Sequence, residues 1–288
     1  MKLNIFLAGA YLALAACSAS TTGLGGGGDG GDDGGGVGGG DDGGGVAGDT
    51  CIGVFICDGD VVAVSYDTAT DTLIITGTPF DETPLAATYV SAGTTNGIPT
   101  YTNDESPFNT YTAYYVESAG GEIAVGATGI DGYQDFGYGG TFILLSDAAS
   151  VPTTGLAEYT GAVAGLVAYD GSGALDQSAG SVLMQVDFTD NRIKGFVTGR
   201  TFTGGAGNNP STLVLNDTTI VSGAFSGTVN SYNGPDVAES GTYGGYFAGG
   251  SGDYIGGIYE ATNPDWMTDI TSRDTGVFIA TSCGGICP

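Results

Sequence analysis

The sequence predicts an all-β protein: a small β-rich handle followed by an eight-stranded antiparallel up-and-down barrel. Three observations carry that expectation. From residue 50 onward, short apolar runs alternate with polar residues at the two-residue period of a half-buried strand, and no capped stretch holds a helical period. Turn-forming clusters separate these runs. Beyond Pro152 eight such segments follow at even spacing, as in a small barrel whose closure removes exposed edges.

Residues 1–16 read as a lipoprotein signal peptide. Lys2 supplies a positive start, and the apolar run from Leu3 to Ala16 is too short to cross a bilayer, which takes about 20 helical residues. The run ends in Leu14-Ala15-Ala16-Cys17, which resembles the lipobox of bacterial lipoproteins. That resemblance implies a lipid on Cys17, a membrane anchor built from several acyl chains, and, with Ser18 rather than Asp next, the outer membrane. The cell surface is the expected face.

Residues 17–49 hold the anchor Cys and a Gly/Asp linker, in which Gly31 to Gly39 repeats almost unchanged at 40–48. Such a tether reaches about 30 Å on average and about 100 Å when stretched. Weak calcium binding by its acids is conceivable, but the spacing does not fit a stacked calcium-binding nonapeptide. No other cofactor or metal is expected.

Residues 50–150 form the handle-like part. Val61 to Tyr66 and Thr72 to Thr76 flank the turn residues Asp67 to Asp71. Further strands are expected at Tyr111 to Glu117, Glu122 to Thr128 and Gly139 to Leu145, while four prolines make residues 79–107 mostly loop. Residues 151–288 form the barrel. Its segments are Ala157 to Tyr169, Ser181 to Phe188, Arg192 to Gly199, Thr212 to Asn216, Ile220 to Asn230, Gly241 to Gly249, Tyr254 to Thr262 and Thr275 to Thr281. The expected turns include Asp190-Asn191, Asn216-Asp217 and Asn233-Gly234. Gly195, Gly199, Gly223, Gly227, Gly244, Gly245, Gly256 and Gly257 are expected inside strands, where they let a narrow sheet bend.

Composition narrows the chemistry. The 288 residues carry 32 Asp+Glu against 5 Lys+Arg, a net charge of −27. Such a chain does not neutralise nucleic-acid phosphates or anionic lipid head groups. Its expected partners are the bilayer, through the Cys17 lipid, and an unknown protein or small molecule, bound by a monomer. With no His, Ser-His-Asp and Cys-His catalysis are excluded, and Lys194 is the one Lys left after the signal peptide. Asp253 and Glu260 are the nearest thing to a paired-carboxylate site, and surface decoration explains them better. An enzyme is not expected.

Cys51, Cys57, Cys283 and Cys287 form an even set in an exported chain, where disulfides persist. Local pairs, Cys51–Cys57 and Cys283–Cys287, are favoured. Pairing of the domain's start with its end, or a four-Cys metal site, are the alternatives.

The stretch Gly244-Gly245-Tyr246-Phe247-Ala248-Gly249, a short turn, then Tyr254-Ile255-Gly256-Gly257-Ile258-Tyr259, resembles the last hairpins of the barrel in transferrin-binding protein B and related lipoproteins. Val186-Asp187-Phe188, Ile193-Lys194-Gly195 and Gly223-Ala224-Phe225-Ser226-Gly227 fit the same pattern. The likeness covers about residues 155–283 and departs from the family at the turn Gly249 to Asp253. It implies a surface lipoprotein that binds a protein or small solute through loops. No residues here carry over the family's grip on transferrin. Tyr101, Phe108, Tyr111, Tyr114 and Tyr115 are the candidate binding residues, since exposed aromatic rings make good anchors. Alternation puts Tyr111 and Tyr115 on one face and Tyr114 on the other, and a core role for part of the set is the competing reading. A structural or adhesive envelope lipoprotein without a ligand pocket is the alternative function.

Overall fold

The computed structural model describes residues 55–78, 87–103, 109–133, 136–146, 149–204, 211–264 and 271–287. Cys17, the linker, Cys51 and Phe108 lie outside the described residues. Every regular element among the described residues is a strand.

The first eight are β1 (Phe55–Gly59), β2 (Ala63–Asp67), β3 (Thr72–Thr76), β4 (Ala87–Thr95), β5 (Ile98–Asn103), β6 (Tyr111–Glu117), β7 (Ile123–Ile130) and β8 (Gly139–Leu145). They make one antiparallel sheet in the order β1-β8-β7-β6-β5-β4-β3-β2. Its two edges are consecutive in the chain, and residues 60–62 bridge them. Asp60 N–H donates to Gly139 O at 2.9 Å and Val62 N–H to Thr76 O at 2.7 Å. The sheet therefore curls round a core of its own, which includes Leu73, Ile75, Tyr89, Tyr111, Tyr115 and Phe142.

Strands β4 and β5 correct the expectation that residues 79–107 are mostly loop. The pair turns at Asn96 (φ 52°) and Gly97 (φ 81°), both left-handed as a two-residue hairpin turn demands. Pro99 stands second in β5, near a strand start, one of the few places where a strand tolerates proline.

The remaining strands are β9 (Leu156–Tyr169), β10 (Leu175–Asp187), β11 (Arg192–Phe202), β12 (Leu213–Val221), β13 (Ala224–Asn233), β14 (Asp236–Ala248), β15 (Tyr254–Pro264) and β16 (Thr271–Ser282). Each pairs with the next, and β16 pairs back with β9, so the sheet closes as an up-and-down barrel. Phe188, Val197, Leu215, Val229, Phe247 and Phe278 are among the side chains that fill it.

Asn216-Asp217 is not a turn. Strand β12 runs through it, and the hairpin lies at Ser222 (φ 52°) and Gly223 (φ 78°), which puts Gly223 in a turn rather than inside a strand. The pairing of β12 with β13 slips between Leu215 and Ile220, so an irregular stretch of ladder absorbs the polar pair.

A second irregularity positions a charge. Opposite Gly180, β11 carries two residues, Gly199 and Arg200, because the register jumps from Ser181↔Thr198 to Ala179↔Thr201. Gly199 takes φ 61°, the geometry of a bulge that begins on a left-handed glycine. The extra residue reverses the in/out phase of the strand: Val197 points inward, and so does Arg200, whose side chain is fully buried.

Handle and barrel share a third apolar cluster. Strand β7 is buried along its whole length, since one face meets the handle core and the other meets β15 and β16. Ile123 packs so closely on Gly256 that a Cβ there would lie 2.5 Å from its Cδ1. At the β4–β5 tip, Asn96 Nδ2 donates to Val163 O at 3.1 Å and to Gly180 O at 2.5 Å.

Candidate functional site

Four of the five aromatic candidates are core residues, not surface anchors: Tyr101, Tyr111, Tyr114 and Tyr115 are 0–3 % exposed. The reason is the curl of the sheet, which turns the inner face of β6 into an enclosed core. The alternation itself holds. Tyr111 and Tyr115 point into the handle core, and Tyr114 points outward against the barrel. Burial pushes the Tyr114 hydroxyl up to about 12.

At one end of the handle this core opens onto a polar rim. Tyr66 ends β2 and stays part-exposed. Its ring lies 4.6 Å from that of Tyr115, tilted by 32°, and meets Tyr101 in a T-shaped contact at 6.2 Å. Two hydroxyls converge on one oxygen: Tyr66 OH donates to Asp71 Oδ1 at 2.8 Å and Tyr101 OH to the same atom at 2.9 Å. Tyr115 OH donates to Glu117 at 3.2 Å. Asp71 and Glu117 are exposed. The β2–β3 turn is braced by Asp67, which accepts from Ala69 N–H at 2.9 Å and from Thr70 Oγ1 at 2.8 Å. Donation from Tyr66, then Tyr101 and Ser91, holds the Asp71 carboxyl below the usual range. Burial, followed by the two hydrogen-bonded neighbours Tyr66 and Asp71, raises the Tyr101 hydroxyl far above its own. At this end the part-exposed Tyr66 stands beside two exposed carboxyl groups, with Tyr101 and Tyr115 buried behind it.

Sequence reasoning placed Tyr101 and Tyr115 in the candidate set but missed Tyr66 and Asp71. Both belong to a hairpin in which Tyr66 reads as strand and Asp71 as turn, with no sign of a site. Only the curl of the sheet brings β2 onto β6. Between Cys51 and Ser150 the sequence holds 13 Asp+Glu and no Lys or Arg, a signal that a segment-by-segment charge count would have found.

A second polar centre closes one end of the barrel interior. Arg200 donates to Glu239 through Nη1 at 2.7 Å and Nη2 at 3.0 Å, to Asp274 at 2.6 Å and to Ser211 O at 3.0 Å. Asp274 also accepts from Ser178 at 2.7 Å and Tyr259 at 3.1 Å. Burial raises the Asp274 pKa, against the pull of Arg200. Burial lowers that of Arg200, but its ion pairs outweigh this and leave it raised. Among the described residues, Arg200 Nε and Ser231 Oγ have no hydrogen-bond partner. Arg200, Glu239 and Asp274 are, among the described residues, buried and paired with one another.

Asp253 and Glu260 do not meet. They are separated by seven residues of β15, or about 23 Å of extended chain, beyond the separation of a glycosidase pair, and Glu260 lies 3.9 Å from Arg273. Cys283 and Cys287 are bonded to each other. Their loop is tied to β9, with Cys287 N–H donating to Glu158 at 2.8 Å and Cys283 N–H to Glu158 O at 2.9 Å. Cys57 falls in β1.

No family model matches the chain, and no curated protein does. Solved structures do. The chain is similar to a double mutant of transferrin-binding protein B from Haemophilus parasuis Hp5, with 14 % identity, a TM-score of 0.45, and cover of 80 % of this chain and 45 % of that one. It is similar to intact Ap-TbpB, with both lobes, at 14 % identity and TM-score 0.45, covering 80 % and 46 %. Against the isotype 1 protein from serogroup B Neisseria meningitidis the identity is 15 % and the TM-score 0.40, covering 80 % and 43 %. The chain spans less than half the length of these structures.

Proposed function

We propose that this chain is a lipid-anchored outer-membrane binding protein, held by Cys17 and facing outward, that captures a basic partner through its handle and performs no catalysis. The observation that carries the reading is the charge of the handle: 13 acidic residues and no basic one between Cys51 and Ser150, around a mouth of tyrosines and exposed carboxylates. A lobe of one sign steers opposite charge toward itself and speeds encounter. Binding at a surface fits the barrel better than uptake into it, because side chains fill the interior from Phe188 to Arg200.

Protease shaving of intact cells tests the orientation. Cleavage between residues 51 and 288 while a periplasmic control survives supports the outward face, and survival until the outer membrane is opened overturns it. A Cys17→Ala variant should lose its lipid and its membrane fraction. Cells bearing the full chain should retain basic proteins over acidic ones of equal size, and equal retention removes the capture role.

A further inference from the structure

We infer that the exposed edge formed by Tyr66, Asp71 and Glu117, with Tyr101 and Tyr115 buried behind it, is an alkylammonium-binding site, taking the side-chain amine of a lysine on a captured protein or the head of a free small amine. The inference rests on the proposed binding role and gives it a chemistry.

Four observations converge on it. The ring of Tyr66 is part-exposed and packs on the buried ring of Tyr115 at 4.6 Å, which holds it in place. Aromatic faces attract cations within about 6 Å of the ring centre. The Tyr66 and Tyr101 hydroxyls spend their protons on Asp71, and that of Tyr115 on Glu117, which leaves lone pairs and carboxylate charge as the polar content of the rim. No cation of the handle itself can neutralise the site, because the handle has none.

The barrel's cations are placed elsewhere. Arg200 is buried on Glu239 and Asp274, and Arg192 pairs with Asp217. Arg273 lies 4.7 Å over the Phe136 ring, and Lys194 sits on β11 opposite Gln185. Two of these guanidiniums already use rings of this chain, Arg273 on Phe136 and Arg200 on Phe202 at 5.3 Å. The Tyr66 ring offers the same contact unfilled by any of them. A metal ion fits less well: among the described residues no three carboxylates converge, and the oxygen of Asp71 nearest the rings is already taken by two hydroxyls.

The test uses the full chain in detergent at low salt, titrated with Nα-acetyl-lysine amide, with choline, and with the neutral Nα-acetyl-norleucine amide, followed by calorimetry and tyrosine ring NMR. Saturable binding of an amine, none of the Nα-acetyl-norleucine amide, and shifts at Tyr66 are expected. Tyr66→Leu should weaken binding about 3- to 5-fold, the worth of one exposed cation–ring contact. Tyr66→Phe, which keeps the ring, should stay within 2-fold of the parent, and Asp71→Asn or Glu117→Gln should weaken it about as much as Tyr66→Leu. Asp236→Asn, exposed on the barrel, should change nothing. Preference for the lysine amide assigns the site to a protein partner, and preference for choline to a free amine. Binding unaltered in both Tyr66→Leu and Glu117→Gln overturns the site, as does an equal loss in Asp236→Asn, which would mark diffuse charge attraction. If the amine binds at Tyr66 but cells retain no basic protein, the capture role fails and the site stands. If Tyr66→Leu cells capture basic protein as well as the parent while the variant no longer binds the amine, the capture role stands and the site is one for a free amine.

Discussion

Replacing Arg200 by Met should unfold the barrel in a pH-dependent way, and the size of the effect can be worked from its partners. The guanidinium makes four hydrogen bonds, three of them to the carboxylates of Glu239 and Asp274, whose residues are 6 % and 2 % exposed. Methionine fills much of the volume and supplies no charge. The less accessible carboxylate, Asp274, must then stay charged and unpaired or take up a proton. Protonation caps the penalty at about 1.4 kcal/mol for each pH unit above the ordinary carboxylate value near 3.9. That is about 4 kcal/mol at pH 7 and about 1.5 kcal/mol at pH 5, and the first figure agrees with the 3–5 kcal/mol typical of a buried ion pair that loses one member. The sign follows from the direction of the shift. An acid whose folded pKa is raised, as that of Asp274 already is, binds more protons folded than unfolded, so its penalty vanishes as pH falls and grows as pH rises through that pKa. Urea unfolding of parent and Arg200→Met, followed by near-UV circular dichroism at pH 5, 6 and 7, reads the difference directly. A loss below 1 kcal/mol at pH 7, or one that does not shrink toward pH 5, would show that water reaches these carboxylates and would refute the closed network.

Asn96→Ala should free the β4–β5 tip from Val163 and Gly180, cost about 1–2 kcal/mol, and raise amide exchange along β4 and β5 before it does so in the barrel. Gly199→Ala forces a side chain into the left-handed region with no steric neighbour to confuse the result, so a loss of about 1–2 kcal/mol in urea is expected from the backbone alone. Removal of the Cys283–Cys287 bond by a double Ser variant should lower stability by about 2 kcal/mol or less, since the loop it closes is short, and calorimetry of the two forms checks this.

The barrel was legible because its signals are local and repeated. Val182, Met184, Val186 and Phe188 alternate as buried residues, and turns at Asn191 and Gly234 fall where turn chemistry predicts them. Local signals also misled. Asn216-Asp217 has the composition of a turn, yet it lies in a strand at a slip in the ladder, which tolerates polar residues equally well. Pro99 hid β5, although Asn96-Gly97 beside it is a strong hairpin signal. The mouth was illegible for a different reason. Tyr66 touches Tyr115 only because eight strands curl until the first half of the sheet faces the second, and that contact leaves no local trace in the sequence. The inward turn of Arg200 is intermediate: the glycine before it is visible, but the bulge shows only in the pairing with Gly180.

The two charged centres differ in a way that bears on function. Around Arg200 the charges are buried and paired with one another, an arrangement rarely worth much net stability. Around Tyr66 the carboxylates are left exposed and the tyrosines are spent on holding them, so the charge is available to something outside the chain. Each such exposed pairing contributes at most about 1 kcal/mol and is screened beyond about 8 Å at physiological salt. One amine in one mouth is therefore a weak contact, and useful affinity requires several contacts made together on a surface that does not yield. The handle meets that requirement through β7, buried against its own core on one side and against β15 and β16 on the other, and through the Asn96 bonds to β9 and β10. Loosening the handle should thus reduce capture of a multivalent basic protein more than it reduces binding of a single amine at Tyr66, and Asn96→Ala compared with Tyr66→Leu in the two assays separates rigidity from contact chemistry.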